Sequence, residues 1–278
     1  MARWLPQRRD VVSFAGVFGL LGAVYLLPPD TALRNVRATG ALRVCMPPYY
    51  PPLVTGVPAT PGIDIELLQA ITRDLGVSLM TVSNPVMGRD FNPRTWHITR
   101  AQCEVFAGGV VGSATTRSFL DTTPAYATTG WALLTPHPAP SQQGSRVGVL
   151  VELSGLDRIA LASYLRAAKV QVIVTRDIDE FVAGLASGRF DVGITERLLA
   201  TELATPRGWS VHRMPAQLAR YPVVFGLWKG DLTLKRAISA AMARLHKDGQ
   251  LAAIVARYGA GGSADGNGVG DDRLDRPK

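Results

Sequence analysis

Two spacings of apolar positions alternate along this chain, and each change of spacing marks an element. Ala41–Met46 (ALRVCM) is a short apolar run bounded by polar residues and reads as a buried strand. Apolar positions Ile65, Leu67, Leu68, Ile71 and Leu75 then fall at helical spacing and stop at Gly76, a natural C-cap. Val77–Ser83 reads as a second strand. The three make a β-α-β unit, whose strands are parallel and whose ligands sit beyond the strand C-terminal ends. Glu104–Ala107 is a further strand, followed by a turn with Gly108 and Gly109, a Ser/Thr-rich segment with Ser113 and Arg117, and a strand at Gly130–Leu134.

The alternation resumes at Arg146–Val151. It continues as helix (Asp157–Ala168), strand (Lys169–Val174), helix (Asp177–Ser187), strand (Asp191–Thr195), helix (Glu196–Ala204) and a short strand near Trp209–Arg213. Pro222–Gly230 reads as a return strand, and Leu232–Gly259 as a long amphipathic helix interrupted near Gly249. Three stretches break the pattern. PPYYPPL (Pro47–Leu53) forbids helix and central strand and forms a rigid loop presenting Tyr49 and Tyr50. Residues 84–102 are polar and irregular. HPAPSQQGS (His137–Ser145) is a linker that marks a crossing between two lobes. The expected fold class is α/β, two-lobed, each lobe a mostly parallel sheet flanked by helices, with two hinge crossings. Lobe 1 takes 36–135 plus 230–258 and lobe 2 takes 139–228, while the Gly/Asp-rich tail 259–278 reads as disordered.

Composition adds the compartment. A chain of 278 residues is comfortable for two cores. Arg3, Arg8 and Arg9 precede an uncharged stretch, Val11–Leu27, in the layout of an export signal. No small-x-small cleavage site follows, so residues 1–35 are read as export signal or membrane anchor. Either places the protein in the periplasm or otherwise outside the cytoplasm. The net charge of +8 is concentrated partly in this segment. With no Lys/Arg run and no basic-aromatic interleaving, nucleic acid is not an expected partner. His97, His137, His212 and His246 show no metal-ligand spacing, and no cofactor or catalytic constellation is expected. Cys45 and Cys103 fit a disulfide in an oxidising compartment or two buried thiols, and the sequence leaves both open.

The motifs, in their order, resemble the family 3 extracellular solute-binding proteins, the polar amino-acid binders of ABC import systems. The resemblance spans 41–259 and is carried by LRVCMPPYYPPL, GIDIELLQAITRDLG, CEVFAGG, TTRSFLDTTPAY, LASGRFDVGITE and LHKDGQLAAIVARYG. It implies a type II periplasmic-binding-protein clamp, a monomer that is not an enzyme, closing on an amino acid or related carboxylate and delivering it to an ABC permease. It also implies a site made from Tyr50, Gly108, Gly109, Ser113, Arg117 and Glu196. Arg117 would grip a carboxylate, Glu196 an ammonium, and Tyr50 would cover the apolar part. Each has a plainer role beside this: Arg117 in an ion pair with Asp121, Glu196 in the first turn of a helix. Trp96, Trp131 and Trp228 are expected in the core or hinge. The sequence departs from the family where VLVELSG replaces a Gly-Thr turn, at Leu53, over 88–102, and in the spacing from Gly109 to Arg117. Two other functions stand on the same scaffold: a periplasmic partner of a quinoprotein dehydrogenase, suggested by LRVC and CEV, and a dehydratase using Glu152 or Glu196 as its acid.

Overall fold

The computed structural model describes residues 30–87, 93–136, 146–150, 156–215, 218 and 220–259. The apolar segment 11–27, the linker 137–145, the Glu152–Ser154 turn and the tail from 260 lie outside them. Helix α1 (Ala32–Thr39) comes first. It overlaps the expected leader range of 1–35, and Val36 buries it in the first core. The Thr233 amide donates to Asp30, which ties its start to a later helix.

β1 (Ala41–Met46), α2 (Ile63–Leu75) and β2 (Ser78–Ser83) form the expected unit, and β1 pairs β2 in parallel. Ile63, Leu67, Leu68 and Ile71 point α2 into the core, and Gly76 closes it at φ 70°. Gly62 precedes the helix at φ 116°, and a Cβ there would lie 2.2 Å from the Leu53 carbonyl oxygen. Only glycine lets the Pro47–Leu53 loop and the α2 start meet so closely. β3 (Val105–Phe106), α3 (Ala114–Phe119), β4 (Leu120–Thr122) and, much later, β12 (Gly226–Trp228) complete a sheet ordered β2-β1-β3-β12-β4.

The second sheet is ordered β10-β6-β9-β7-β8. Its strands are β6 (Trp131–Thr135), β7 (Arg146–Leu150), β8 (Gln171–Thr175), β9 (Val192–Glu196) and β10 (Ser210–Arg213). Helices α4 (Arg158–Ala167), α5 (Ile178–Ala186) and α6 (Arg197–Ala204) cover its faces. β7 runs parallel to β8 and β9, whereas β6 is antiparallel to its neighbours. A two-stranded ribbon, β5 (Ala127–Thr129) with β11 (Tyr221–Val223), carries both chain crossings side by side. α7 (Leu232–Lys247) and α8 (Gln250–Arg257) pack back on the first sheet, broken at Gly249 as the pattern predicts.

Sheet membership differs from the expected lobe ranges in two places. β6 falls within the range given to lobe 1 yet sits at the heart of the second sheet, and β12 falls within that of lobe 2 yet joins the first. The expected single return strand Pro222–Gly230 is two strands, because the chain changes sheets between Val223 and Gly226. Cys45 and Cys103 form a disulfide with Cα atoms 5.7 Å apart. It is buried with Trp96, Phe106 and Val224. Trp96 and Trp131 are core residues, and the half-buried Trp228 meets Phe106 edge-on at 5.0 Å.

Candidate functional site

The C-terminal ends of β1 and β3 in the first sheet face the C-terminal end of β9 in the second. Tyr50 stands on the loop after β1, held by a reciprocal backbone bridge to Val54. Its side chain is only 2% exposed, while Tyr49 is 51% exposed, so one tyrosine of the pair packs inward and the other outward. Gly109 sits at φ 87°, and a Cβ there would fall 2.4 Å from the Tyr50 ring. A Cβ on Gly108 would meet the Pro47 ring at 2.3 Å. The backbone approach these two glycines permit is thus made to the proline-tyrosine loop.

The turn they form is held by a residue that sequence reasoning passed over. Asp64, in the first turn of α2, is fully buried. It accepts hydrogen bonds from the Gly108 amide at 2.6 Å and the Tyr126 hydroxyl at 2.5 Å. Burial pushes its carboxyl up to about 6, against the pull of the Tyr126 hydroxyl and the Gly108 and Gly109 amides. The signal was an acid one residue past an apolar helix start, which reads equally well as an ordinary first-turn carboxylate.

Glu196 ends β9 and caps α6. Its carboxylate accepts from the Leu198 and Leu199 amides, each at 2.9 Å, so the helix-start role expected as the plainer reading is present. The Tyr50 hydroxyl, 146 residues away in sequence, donates to the same carboxylate at 3.5 Å, the long limit of a hydrogen bond. Only 1% of Glu196 is exposed. Burial pushes its carboxyl up to about 7, outweighing the two amides, the Arg197 charge and the Tyr50 hydroxyl. Burial and the nearby Glu196 and Asp64 charges in turn hold the Tyr50 phenol well above its ordinary range. Leu198 packs into the core of the first sheet, sealing the contact beneath the polar bridge.

The structure therefore brings Tyr50, Gly108, Gly109 and Glu196 together and adds Asp64 and Tyr126. Ser113 caps α3, accepting from the Thr116 amide at 3.1 Å. Arg117 is exposed on α3. The ion pair anticipated between Arg117 and Asp121 does not form, because β4 turns Asp121 toward Lys229 at 3.7 Å. At the outer lip, Tyr49 lies near Glu202 of α6 and Asp179 of α5, whose charges, after burial, raise its phenol.

Residues 42–261 match the family model described as bacterial extracellular solute-binding proteins, family 3. No curated protein matches the sequence. Among solved structures, the chain is similar to an ancestral cationic amino acid solute-binding protein. That match has 20% identity over 81% of this chain and 98% of that one, with a TM-score of 0.68. It is similar also to an ancestral amino acid-binding protein described as a precursor of cyclohexadienyl dehydratase (18%, 81% and 98%, TM-score 0.65). A third is an amino acid ABC transporter substrate-binding protein from Streptococcus pneumoniae bound to L-arginine (19%, 82% and 97%, TM-score 0.64). At such identities the likeness is one of fold, the two-lobed type II periplasmic-binding-protein fold.

Proposed function

The chain belongs to the bacterial extracellular solute-binding proteins, family 3, and from that membership we propose that it captures an amino acid or a related small carboxylate between its lobes for ABC-type import. The observation that carries this reading is the meeting of Tyr50 from the first lobe with Glu196 at a strand end of the second, across a double crossing. Clamp proteins divide a ligand's partners between lobes, so that closure is favourable only when both halves are engaged. In this reading the first lobe runs to β5 and resumes at β12, with the second lobe between. Tyr50, Gly108, Gly109, Ser113, Arg117 and Glu196 line the cleft when it opens, and an extracytoplasmic monomer, anchored through residues 11–27 or released from them, meets a permease. The binding role is preferred to catalysis. A dehydratase would need Glu152 or Glu196 as its acid; Glu152 lies outside the described residues, and Glu196 caps α6 and meets Tyr50.

Thermal denaturation against a panel of amino acids, small carboxylates and polyamines tests it, with arginine first because similar folds hold it. A ligand at a hundred times its Kd adds about 2.7 kcal/mol. A shift that vanishes in Glu196→Ala and Arg117→Ala supports the proposal; a flat panel from folded protein refutes it.

A second reading, a periplasmic partner of a quinoprotein dehydrogenase, is favoured by one specific observation. The Asp64 carboxylate already takes up the amides of the Gly108–Gly109 turn, and Arg117 is exposed on α3. A flat ligand panel together with saturable binding to such a dehydrogenase would establish it.

A further inference from the structure

β8 ends the second sheet, so one edge of Gln171–Thr175 has no strand beside it among the described residues. Its register with β7 sets Val172 opposite Val147 and Val174 opposite Val149. Val147 and Val149 are buried beneath α4 with Leu161 and Leu165. Val172 and Val174 share that face of the sheet, but α4 does not extend over them, and they are 43% and 55% exposed. The gap between β8 and α4 is a groove of about 370 Å³ with an apolar floor, and its charged residues are Arg158 and Arg166. Neither arginine forms an ion pair among the described residues.

Such an edge is unusual for a protein that stands alone. Edge strands are normally blunted by charge, proline or a bulge, since a bare apolar edge recruits other strands. The sequence QVIVT carries none of these. Self-pairing is a poor solution here, because joining two β8 edges would bring the Arg158 and Arg166 groups of both copies together. The arginines favour an occupant that carries carboxylates.

We propose that the open edge of β8 and its groove dock an extended, acidic segment of a partner protein. The segment adds to the sheet through main-chain hydrogen bonds, lays alternate apolar side chains over Val172 and Val174, and pairs carboxylates with Arg158 and Arg166. None of the residues lining this groove is among those placed in the interlobe site, and the proposal does not depend on what the cleft binds.

Fluorescence anisotropy of a labelled peptide alternating Glu and Val, titrated with the whole protein, tests this. The expected result is saturable binding that weakens with added salt. Val174→Lys should weaken it at least tenfold, and so should the double change Arg158→Glu with Arg166→Glu. A peptide with Lys in place of Glu should not bind. Absence of saturable binding, equal binding of the lysine peptide, or insensitivity to both variants overturns the proposal. So does a dimer in sedimentation that Val174→Lys dissolves, which would make a second copy the occupant. Should Val174→Lys fail to fold, the charge reversal, confined to exposed helical positions, decides alone.

Discussion

Replacing Glu196 with Gln removes an ionisable group from a place where the charged form is disfavoured. The carboxyl, ordinarily near 4.5, is pushed up to about 7 by burial. Each unit is worth 1.36 kcal/mol, so the shift amounts to about 3 kcal/mol. Its sign follows from which state binds the proton. Below about pH 4.5 both folded and unfolded chains are protonated, and the stability held by the protonated side chain is fully present. As pH rises toward 7 the unfolded chain ionises first, and stability falls by up to about 1.4 kcal/mol per pH unit. Above about 7 the loss is complete. Gln carries no charge at any pH and keeps a carbonyl oxygen for the α6 amides. The variant should therefore gain on the parent by about 3 kcal/mol across this range, whatever constant offset it carries. Asp64 contributes the same sign through its shift to about 6, but it is present in both proteins and cancels. Urea unfolding followed by tryptophan fluorescence from about pH 5 to pH 8 reads the difference, with Trp131 paired beside Glu196 as reporter. Parallel stability curves for the two proteins would show that Glu196 ionises normally in the fold and would refute the reasoning.

Replacing both Cys45 and Cys103 with Ala opens a loop closed over a sequence separation of 58, and the chain-entropy model predicts a loss of about 4 kcal/mol. Urea midpoints should drop accordingly, and reductant should lower the parent's midpoint while leaving the variant unmoved. Gly109→Ala sets a methyl against the Tyr50 ring at positive φ, so the melting temperature should fall and any ligand-induced shift disappear. Asp64→Ala leaves the buried Gly108 amide and Tyr126 hydroxyl without their acceptor, and chemical denaturation should show a loss of about 1–3 kcal/mol or more.

The order of elements was legible because burial imposes a period on each: Ile63 to Leu75 could only be a helix with one wet face, and Ala41–Met46 only a short buried strand. Sheet membership was not legible. Trp131–Thr135 and Gly226–Trp228 look like strands locally, but which sheet takes them depends on where the chain crosses the hinge, through pairings such as Gly226 with Phe106 and Trp131 with Glu196 that are far apart in sequence. The site divides in the same way. Tyr50 and Glu196 were recognisable from a proline-locked loop and a strand-end acid. That they would meet each other was not, because the contact joins separate lobes. Asp64 escaped notice since nothing local distinguishes a buried first-turn acid from a solvated one. Arg117 was chosen from the Thr-x-x-Arg pattern, and a short helix capped by Ser113 carries it, exposed and without the Asp121 partner that local spacing suggested.

The bridge between Tyr50 and Glu196 also gives the proposed ligand a proton to displace. An ammonium held by Glu196 requires the ionised carboxylate, whereas the free protein keeps the carboxyl protonated below about pH 7. Binding then releases close to one proton at pH 6, and affinity rises about tenfold per unit of pH until it levels off near 7. The ligand's charge offsets the desolvation that burial otherwise imposes on the carboxylate, which is why closure over a cationic group is easier than closure over none. Calorimetric titration in buffers of different ionisation enthalpy measures the proton directly, and Glu196→Gln should abolish both its release and the slope. Tight binding with no buffer dependence would mean that the ligand never reaches Glu196, and that this carboxyl serves only to cap α6 and join the lobes.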